Sequence, residues 1–226
     1  MNSRILRFFQ TSTKKPPSIC IMRHAESTWN AGRRRVQGAS TDPGIVLSPY
    51  GIQSIHALLK NVPKPDVLIC SPLLRCKQTA EIWFGSDFEN ISISKKLVPD
   101  LKEINAGIFE HRYLDELTHD ALWKSWLKNP AAFPGFPQGE TSLAFQERVL
   151  NAFSNICIEF ADTSKNVCVI THGIVMRALL IYLKKKDLSQ LWEHDVKNLE
   201  RLLLTPEHIS TLKNLSTMMT NTCKLA

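Results

Sequence analysis

Three short apolar runs along the chain have the pattern of strands that are buried on both faces. They are Ile19 to Met22, Val67 to Cys70 and Val167 to Ile170, and none of them contains a charged residue. Continuous apolar runs of this length, rich in β-branched residues, are typical of parallel strands that helices cover on both sides. Polar residues follow each run, which predicts that each strand ends there.

A helical spacing of apolar residues follows each of these runs. We expect a helix from Ser27 onward after the first strand, one over Leu74 to Phe84 after the second, and one over Ile174 to Lys184 after the third. Pro49 to Asn61 and Leu143 to Phe160 are two further amphipathic segments. Strands that alternate with helices predict an α/β fold with three layers, α/β/α, in which helices cover both faces of a mostly parallel sheet.

The segment from about Leu97 to Gly139 interrupts the alternation of strands and helices. Trp123 and Trp126 lie in a short helical pattern, and prolines and glycines follow it. We predict that this segment, about 97–139, is a small cap insertion over the sheet. We interpret the two tryptophans as part of the core of the cap.

The chain after Lys186 has a weaker pattern. We expect a helix over roughly Leu188 to Leu203 and a last strand near Ile209 to Met218. With these elements, residues 18–226 are predicted to form one domain.

Residues 1–17 differ from the rest of the chain in composition. They contain basic and hydroxyl residues and no acidic residue. A transit peptide to a mitochondrion or another organelle has this composition, and so does a plain basic N-terminal extension. Under the second interpretation we expect the protein in the cytoplasm. No apolar run is long enough to span a bilayer, and we expect no membrane partner.

Composition and charge narrow the choice of partners. The chain has 226 residues, of which 43% are hydrophobic and 22% charged, as in an ordinary globular protein. Its net charge of +7 favours anionic partners. The basic run Arg33 to Arg35 lacks the interleaved aromatic residues on which nucleic-acid bases stack. We therefore interpret it as an exposed face or a pocket rim, and we expect no nucleic-acid partner. The six cysteines form no C-x-x-C pair, which favours free thiols.

Histidines and arginines occur where the predicted strands end. Arg23 and His24 follow the first strand, Arg75 comes shortly after the second, and His172 follows the third. Ligands of open α/β sheets bind beyond the carboxyl ends of the strands, so we expect these side chains to meet in one crevice. Buried cationic groups are costly unless an anion balances them, and the paired donors of a guanidinium match a phosphate. The pattern therefore predicts a phosphate-binding site.

The residues around these positions also carry a family resemblance. The motifs are, in chain order, Arg23-His24-Ala25-Glu26-Ser27-Thr28-Trp29-Asn30, Gln37-Gly38, Leu47-Ser48-Pro49-Tyr50-Gly51, Ser71-Pro72-Leu73-Leu74-Arg75-Cys76-Lys77-Gln78-Thr79-Ala80-Glu81, Leu101-Lys102-Glu103-Ile104, Gly139-Glu140-Thr141 and Thr171-His172-Gly173. In this order and spacing the chain resembles the histidine phosphatase superfamily, which also contains the cofactor-dependent phosphoglycerate mutases. The resemblance covers about Ser18 to Leu183.

The resemblance implies a role for each of these residues. His24 is the expected nucleophile, which forms a phosphohistidine that water or a second substrate resolves. Arg23, Arg75 and His172 are expected to bind the phosphoryl oxygens, and Glu103 to act as the proton donor. The two arginines also disfavour a charged imidazolium, which keeps His24 nucleophilic. The residues expected on the substrate side of the pocket are Asn30, Gln37, Gly38 and Gly173. We expect neither a metal ion nor another cofactor.

The chain departs from the family pattern at two positions. Ala25 stands where the commonest motif has a glycine after the nucleophile. His111 follows Phe109-Glu110, where the family usually has another glycine. We expect the second departure to affect the cap and the choice of substrate rather than the core chemistry.

These observations predict a metal-independent phosphomonoesterase that acts on a small phosphorylated metabolite. A phosphoglycerate mutase remains an alternative, although Ile104 to Tyr113 is short and lacks the Tyr-Gly stretch of the mutases. A catalytically silent phosphate-binding module is a second alternative. The sequence does not indicate an oligomeric state.

Two other kinds of phosphatase agree less well with the sequence. A cysteine phosphatase needs a C-x5-R motif, whereas only four residues separate Cys70 from Arg75. A metal-dependent phosphohydrolase could use His119-Asp120 or His194-Asp195. That mechanism leaves the motifs at the strand ends unexplained.

Overall fold

A computed structural model describes residues 18–85 and 93–222 of the chain, and the side chains up to residue 215. The predicted N-terminal extension, 1–17, lies outside the described residues. The described part contains a five-stranded sheet whose strands are β1 (Ser18–Arg23), β2 (Val67–Cys70), β3 (Ser94–Leu97), β4 (Asn166–Thr171) and β5 (Arg201–Leu203). The strand order is β3-β2-β4-β1-β5. Strands β1 to β4 pair in parallel and β5 is antiparallel to β1, so the sheet is mostly parallel, as predicted.

The register of the sheet aligns the ends of three strands. Strand β4 lies between β1 and β2, and Arg23 is opposite Thr171 while Cys70 is opposite Ile170. The residues that follow β1, β2 and β4 therefore leave the sheet at one edge. This alignment brings the predicted phosphate-binding residues together.

Six helices accompany these strands in the described residues. They are α1 (Pro49–Leu59), α2 (Leu74–Phe84), α3 (Ala121–Lys128), α4 (Ser142–Phe160), α5 (Gly173–Leu183) and α6 (Pro206–Thr222). Alternate strand residues point to opposite faces of the sheet. Ile19 and Val169 pack with residues of α4, α5 and α6, whereas Met22 and Ile170 pack with residues of α1 and α2. Helices thus cover both faces, which confirms the three-layer α/β/α fold.

The helix predicted from Ser27 onward is wrong. The chain forms a loop from there to α1, because Ser27 pairs in an isolated bridge with Leu47 and Gly32 adopts a φ of 56°. The Ser27 hydroxyl also donates to Asn30 Oδ1 at 3.1 Å and to Gln37 Oε1 at 3.0 Å. These side-chain hydrogen bonds compete with a helical backbone and stabilise the loop instead.

The two elements predicted after Lys186 are also wrong. Leu188 to Leu203 was expected to be a helix, but only Leu188–Gln190 forms a short 3-10 turn, and Leu199 has a φ of 59° before β5 begins. The strand expected near Ile209 to Met218 is part of α6.

A cap explains why α6 begins where it does. The Thr205 hydroxyl accepts from the His208 N–H at 3.2 Å, and His208 Nδ1 accepts from the Thr205 N–H at 3.3 Å. Pro206 follows at the start of the helix, where a missing N–H costs nothing. Ile209 and Leu212 are buried in the core that α6 shares with α4.

The segment predicted as a cap contains α3 and four short 3-10 turns. Trp126 is 1% exposed and its ring lies 5.3 Å from Phe133 and 5.2 Å from Phe136. This aromatic cluster belongs to the same core as the sheet residues Ile19 and Val169. Among residues 18–85 and 93–222, no helix has the length and apolar character that crossing a bilayer requires.

Candidate active site

His24 follows the last residue of β1 and is 3% exposed. Its Nδ1 lies 2.7 Å from the carbonyl oxygen of Ala25. Because a carbonyl oxygen only accepts hydrogen bonds, the proton of a neutral ring is on Nδ1, and Nε2 carries the free lone pair. The Asn198 amide donates to the carbonyl oxygen of His24 at 2.9 Å and holds the backbone at this position.

The surroundings keep the His24 ring neutral. Burial lowers the pKa of His24 well below its ordinary value, and the positive charges of Arg75 and Arg23 lower it further. A neutral imidazole with its lone pair on Nε2 is the form that attacks phosphorus.

His172 is the single residue between β4 and α5, and its ring packs edge-on against that of His24. The two ring centroids are 5.3 Å apart, with planes inclined at 61°. The Nε2 of His172 is 2.8 Å from Ser71 Oγ and 3.5 Å from Cys76 Sγ. His172 is fully buried, and burial together with the charge of Arg75 lowers its pKa well below the ordinary value.

Arg23 is the last residue of β1, and Arg75 lies in the first turn of α2. Both line one cavity of about 270 Å³, which His24 also lines. Arg23 Nη1 donates to Val196 O at 2.6 Å, and Arg75 Nη2 donates to Gly38 O at 2.8 Å. The Nε of each guanidinium is buried without a hydrogen-bond partner in the described part of the chain. A buried donor without an acceptor is costly, so this pair of arginines is suited to an anionic ligand.

Glu103 lines the same cavity. Its Oε2 accepts from the Ile174 N–H at 3.0 Å, at the first turn of α5. This hydrogen bond fixes the position of the Glu103 side chain at the N-terminus of α5.

The remaining predicted substrate-side residues also line the cavity. Asn30 and Gln37 both accept from the Ser27 hydroxyl, which orients them in the loop before α1. Gly38 has a φ of 50°, and a Cβ on it would lie 2.1 Å from Glu110 Oε1. Gly173 approaches Arg23 so closely that a Cβ would lie 3.3 Å from its Nε. Of the nine predicted site residues, His172 is the one that does not itself line the cavity.

Ala25 is accommodated without visible strain. It is fully buried beside Met22 and Leu47, and its N–H donates to Thr79 Oγ1 at 3.0 Å.

His111 has a φ of 71°, the left-handed conformation that glycine adopts most easily. Its ring packs on Trp29 at 4.9 Å, and its Nε2 lies 2.8 Å from Ser40 Oγ. The chain therefore keeps the backbone conformation favoured by glycine and adds a side-chain contact to the loop that lines the cavity.

A clamp that holds the backbone at Glu103 is a feature that the sequence did not predict. The Arg148 side chain donates to the carbonyl oxygen of Glu103 at 3.1 Å and to that of Lys102 at 2.8 Å. It also donates to both oxygens of Glu140, at 2.6 and 2.7 Å. Glu140 in turn accepts from the Asn105 N–H at 2.7 Å. The only sequence signal was Glu140, in one of the quoted motifs; nothing in the helical pattern of α4 singles out Arg148.

Glu110 was a second omission. Its Oε1 accepts from the N–H of Ala39 at 2.7 Å and from that of Ala106 at 3.1 Å. It joins the loop around Gly38 to the cap, and burial raises its pKa above the ordinary value. Among the residues that the structure describes, no three His, Cys, Asp or Glu side chains cluster closely enough to hold a metal ion.

Comparison with known proteins agrees with this geometry. The model of the histidine phosphatase superfamily (branch 1) matches residues 19–213. The probable phosphoglycerate mutase GpmB of Yersinia pestis is 30% identical over 165 residues, which cover 72% of each chain. YhfR of Bacillus stearothermophilus has a TM-score of 0.72 and 26% identity, over 84% of this chain and 91% of that one.

A more distant structure has the same fold. The alpha-ribazole phosphatase of Shigella flexneri has a TM-score of 0.67 and 22% identity, over 83% of this chain and 90% of that one.

Proposed function

The chain belongs to branch 1 of the histidine phosphatase superfamily, and from this membership we propose that it hydrolyses phosphomonoesters of small metabolites through a phosphohistidine on His24. One observation supports this proposal most strongly. The hydrogen bond from His24 Nδ1 to Ala25 O leaves Nε2 with a lone pair, beside a cavity that two buried guanidiniums line.

The first step forms the phosphoenzyme. His24 Nε2 attacks phosphorus, the bond from phosphorus to the ester oxygen breaks, and Glu103 gives its proton to the departing alcohol. Arg23 and Arg75 stabilise the charge on the phosphoryl oxygens. Donors of this kind contribute about 3 kcal/mol each to lowering a barrier.

The second step regenerates the free enzyme. Water attacks the phosphohistidine, Glu103 accepts the proton of that water, and the bond from phosphorus to Nε2 breaks to release inorganic phosphate. The hydrogen bond from Arg148 to the main-chain carbonyl oxygen of Glu103 fixes the backbone that carries this side chain, and the Ile174 N–H holds its carboxyl group. We expect no metal ion to take part.

Turnover of a generic aryl phosphate tests this proposal. We expect purified protein to release phosphate in the presence of a chelator, and His24→Ala to lose this activity. His119→Ala is the matched control, because His119 is exposed in the cap and belongs to the alternative, metal-dependent mechanism. Loss of activity in chelator, or in His119→Ala but not in His24→Ala, would contradict the proposal.

A phosphoglycerate mutase is the second candidate, because the Yersinia relative carries that name. A mutase returns the phosphoryl group from the enzyme to a second substrate, whereas a phosphatase transfers it to water. Incubation with 3-phosphoglycerate distinguishes the two. Isomerised phosphoglycerate without free phosphate would favour the mutase; free phosphate favours the phosphatase.

A catalytically silent phosphate-binding module would behave differently from an enzyme. It would show no turnover, and its phosphate affinity would survive in His24→Ala.

We propose that the enzyme acts in the cytoplasm unless residues 1–17 direct it to an organelle. Fluorescent fusions of the full chain and of residues 18–226 compare these locations.

A further inference from the structure

The cavity beside His24 contains more positive charge than a phosphoryl group needs. Besides Arg23 and Arg75, the residues that line it include Arg34, Arg35 and Arg177. Glu103 is the one carboxylate that lines it, among the described residues. Because a phosphoryl group carries at most about two negative charges, it cannot balance all of these guanidiniums.

The three additional arginines differ in how they are neutralised. Arg177 Nη2 pairs with Asp195 at 3.1 Å. Neither Arg34 nor Arg35 pairs with a carboxylate in the described part of the chain. Arg33, their neighbour, is different again. It pairs with Asp115 at 2.7 Å and with Glu116 at 2.9 Å, and it does not line the cavity.

The position of Arg35 is held by aromatic rings. Its guanidinium carbon lies 4.2 Å from the centre of the Tyr113 ring and 5.3 Å from that of Trp29, and it donates to the Tyr113 hydroxyl. A guanidinium that is stacked in this way loses little freedom when it binds an anion. The loop that carries Arg34 and Arg35 also pairs with the cap, since Leu114 N donates to Arg34 O at 2.9 Å.

Apolar residues from the cap also line the cavity. Leu114, Trp126 and Phe136 are among them. At about 270 Å³, the cavity lies near the lower end of the range of ligand pockets, about 300 Å³, so it has the size for a small metabolite. An apolar wall offers a sugar hydroxyl no hydrogen bond, whereas it suits a flat or aliphatic body.

We propose that the substrate is a phosphomonoester with an apolar body and a second anionic group, which Arg34 and Arg35 bind while Arg23 and Arg75 hold the phosphoryl group being transferred. This inference rests on the proposed phosphatase function and adds the substrate class to it. The second group is a carboxylate or another phosphate, since both accept from guanidiniums.

A set of aryl phosphates tests the inference. The probes are phenyl phosphate, 3- and 4-carboxyphenyl phosphate, and 1,4-phenylene bisphosphate. We expect at least one probe with a second anion to exceed phenyl phosphate in kcat/KM about tenfold or more, which corresponds to about 1.4 kcal/mol. The carboxylated and bisphosphate probes show which anion is preferred. Equal kcat/KM values for all probes would overturn the inference while leaving the phosphatase function intact. No phosphate release from any probe would contradict both.

Variants of adjacent arginines assign the effect to residues. Arg34→Gln and Arg35→Gln should each lower the ratio of kcat/KM between the preferred anionic probe and phenyl phosphate, by about tenfold for the residue in direct contact. Arg33→Gln removes the same charge next to them and should keep the ratio of the unmodified enzyme. An equal loss of the ratio in Arg33→Gln, or no loss in either of the other variants, would overturn the assignment to Arg34 and Arg35.

Discussion

At the scale of single residues, the proposed chemistry depends on histidines that stay neutral while buried. The proton on His24 Nδ1 is held by Ala25 O, and the positive charges of Arg75 and Arg23 oppose a second proton on the ring. His172 shares this environment, with Ser71 as its partner. The same burial that keeps His24 neutral for the proposed nucleophilic attack therefore affects the stability of the protein in acid.

The pH dependence of unfolding should reveal the lowered pKa of His24. The unfolded chain takes up a proton near the ordinary pKa of 6.5, and the folded chain does so only at much lower pH. The unfolded state thus binds more protons below pH 6.5, and the free energy of unfolding falls as the pH falls. For one such histidine we expect a loss of about 1.4 kcal/mol at pH 5.5 relative to pH 7.5.

Denaturant unfolding at the two pH values measures this effect. Between pH 7.5 and pH 5.5, the free energy of unfolding of His24→Gln should fall by about 1.4 kcal/mol less than that of the unmodified protein. His56→Gln is a control on the exposed side of α1. If His24→Gln and the unmodified protein lost the same free energy, His24 would not be held neutral in the folded state.

His111 should carry backbone strain that a glycine relieves. A non-glycine residue in the left-handed conformation costs about 1 kcal/mol or more. Both His111→Ala and His111→Gly lose the contacts with Trp29 and Ser40, so a comparison of the two variants isolates the backbone. We expect His111→Gly to be more stable than His111→Ala by about 1 kcal/mol in denaturant unfolding. An alanine variant of equal or greater stability would contradict this account.

Much of the site could be predicted because its residues follow strands, and parallel strands end at one edge of a sheet. His24 and Arg75 are positioned in this way. Arg148 could not be predicted, because it reaches Glu103 from a helix 45 residues later in the chain. Arg34 and Arg35 look like an ordinary exposed basic run until the cap folds against their loop and places them beside the cavity.

At the scale of elements, apolar periodicity predicted the buried strands and the helices that cover them. β1, β2 and β4 agree with the expected runs within one residue at each end, and α2, α4 and α5 are similarly close. β3 was missed because it is an exposed, lysine-containing edge strand whose residues lack an apolar pattern. The loop after Ser27 was misread as a helix, because hydrogen bonds from a single hydroxyl decide its conformation.

The end of the chain shows how a local pattern misleads. The segment that begins at Ile209 contains isoleucine and threonine, which favour strands, yet this segment is helical because its apolar positions meet α4. Intrinsic preference is weak compared with the burial of such a face.

Truncation of a buried residue in α6 tests that contact. Leu212 is fully buried, and we expect Leu212→Ala to lower the free energy of unfolding by about 2 to 5 kcal/mol. Asn214→Ala, at an exposed position of the same helix, should change it by less than about 0.5 kcal/mol. Thermal or denaturant unfolding compares the two. Equal effects would show that α6 does not depend on packing against the core.

At the scale of the whole molecule, two parts of the protein have separate tasks. The sheet edge provides His24 and the arginines that we propose to hold the phosphoryl group, and the cap provides an apolar wall and the Tyr113 ring beside Arg35. The net charge of +7 adds a general attraction for anionic substrates. Two side chains join segments around the site. Glu110 accepts from the N–H groups of Ala39 and Ala106, and Arg148 of α4 donates to the carbonyl oxygen of Glu103.

The central claim is that His24 carries the phosphoryl group during turnover. Rapid acid-free quenching after mixing with a labelled aryl phosphate, followed by peptide mapping, tests it most directly. We predict an acid-labile, base-stable phosphoryl group on the peptide that contains His24, absent in His24→Ala. Phosphate release without such an intermediate, or a phosphoryl group on another residue, would contradict the account.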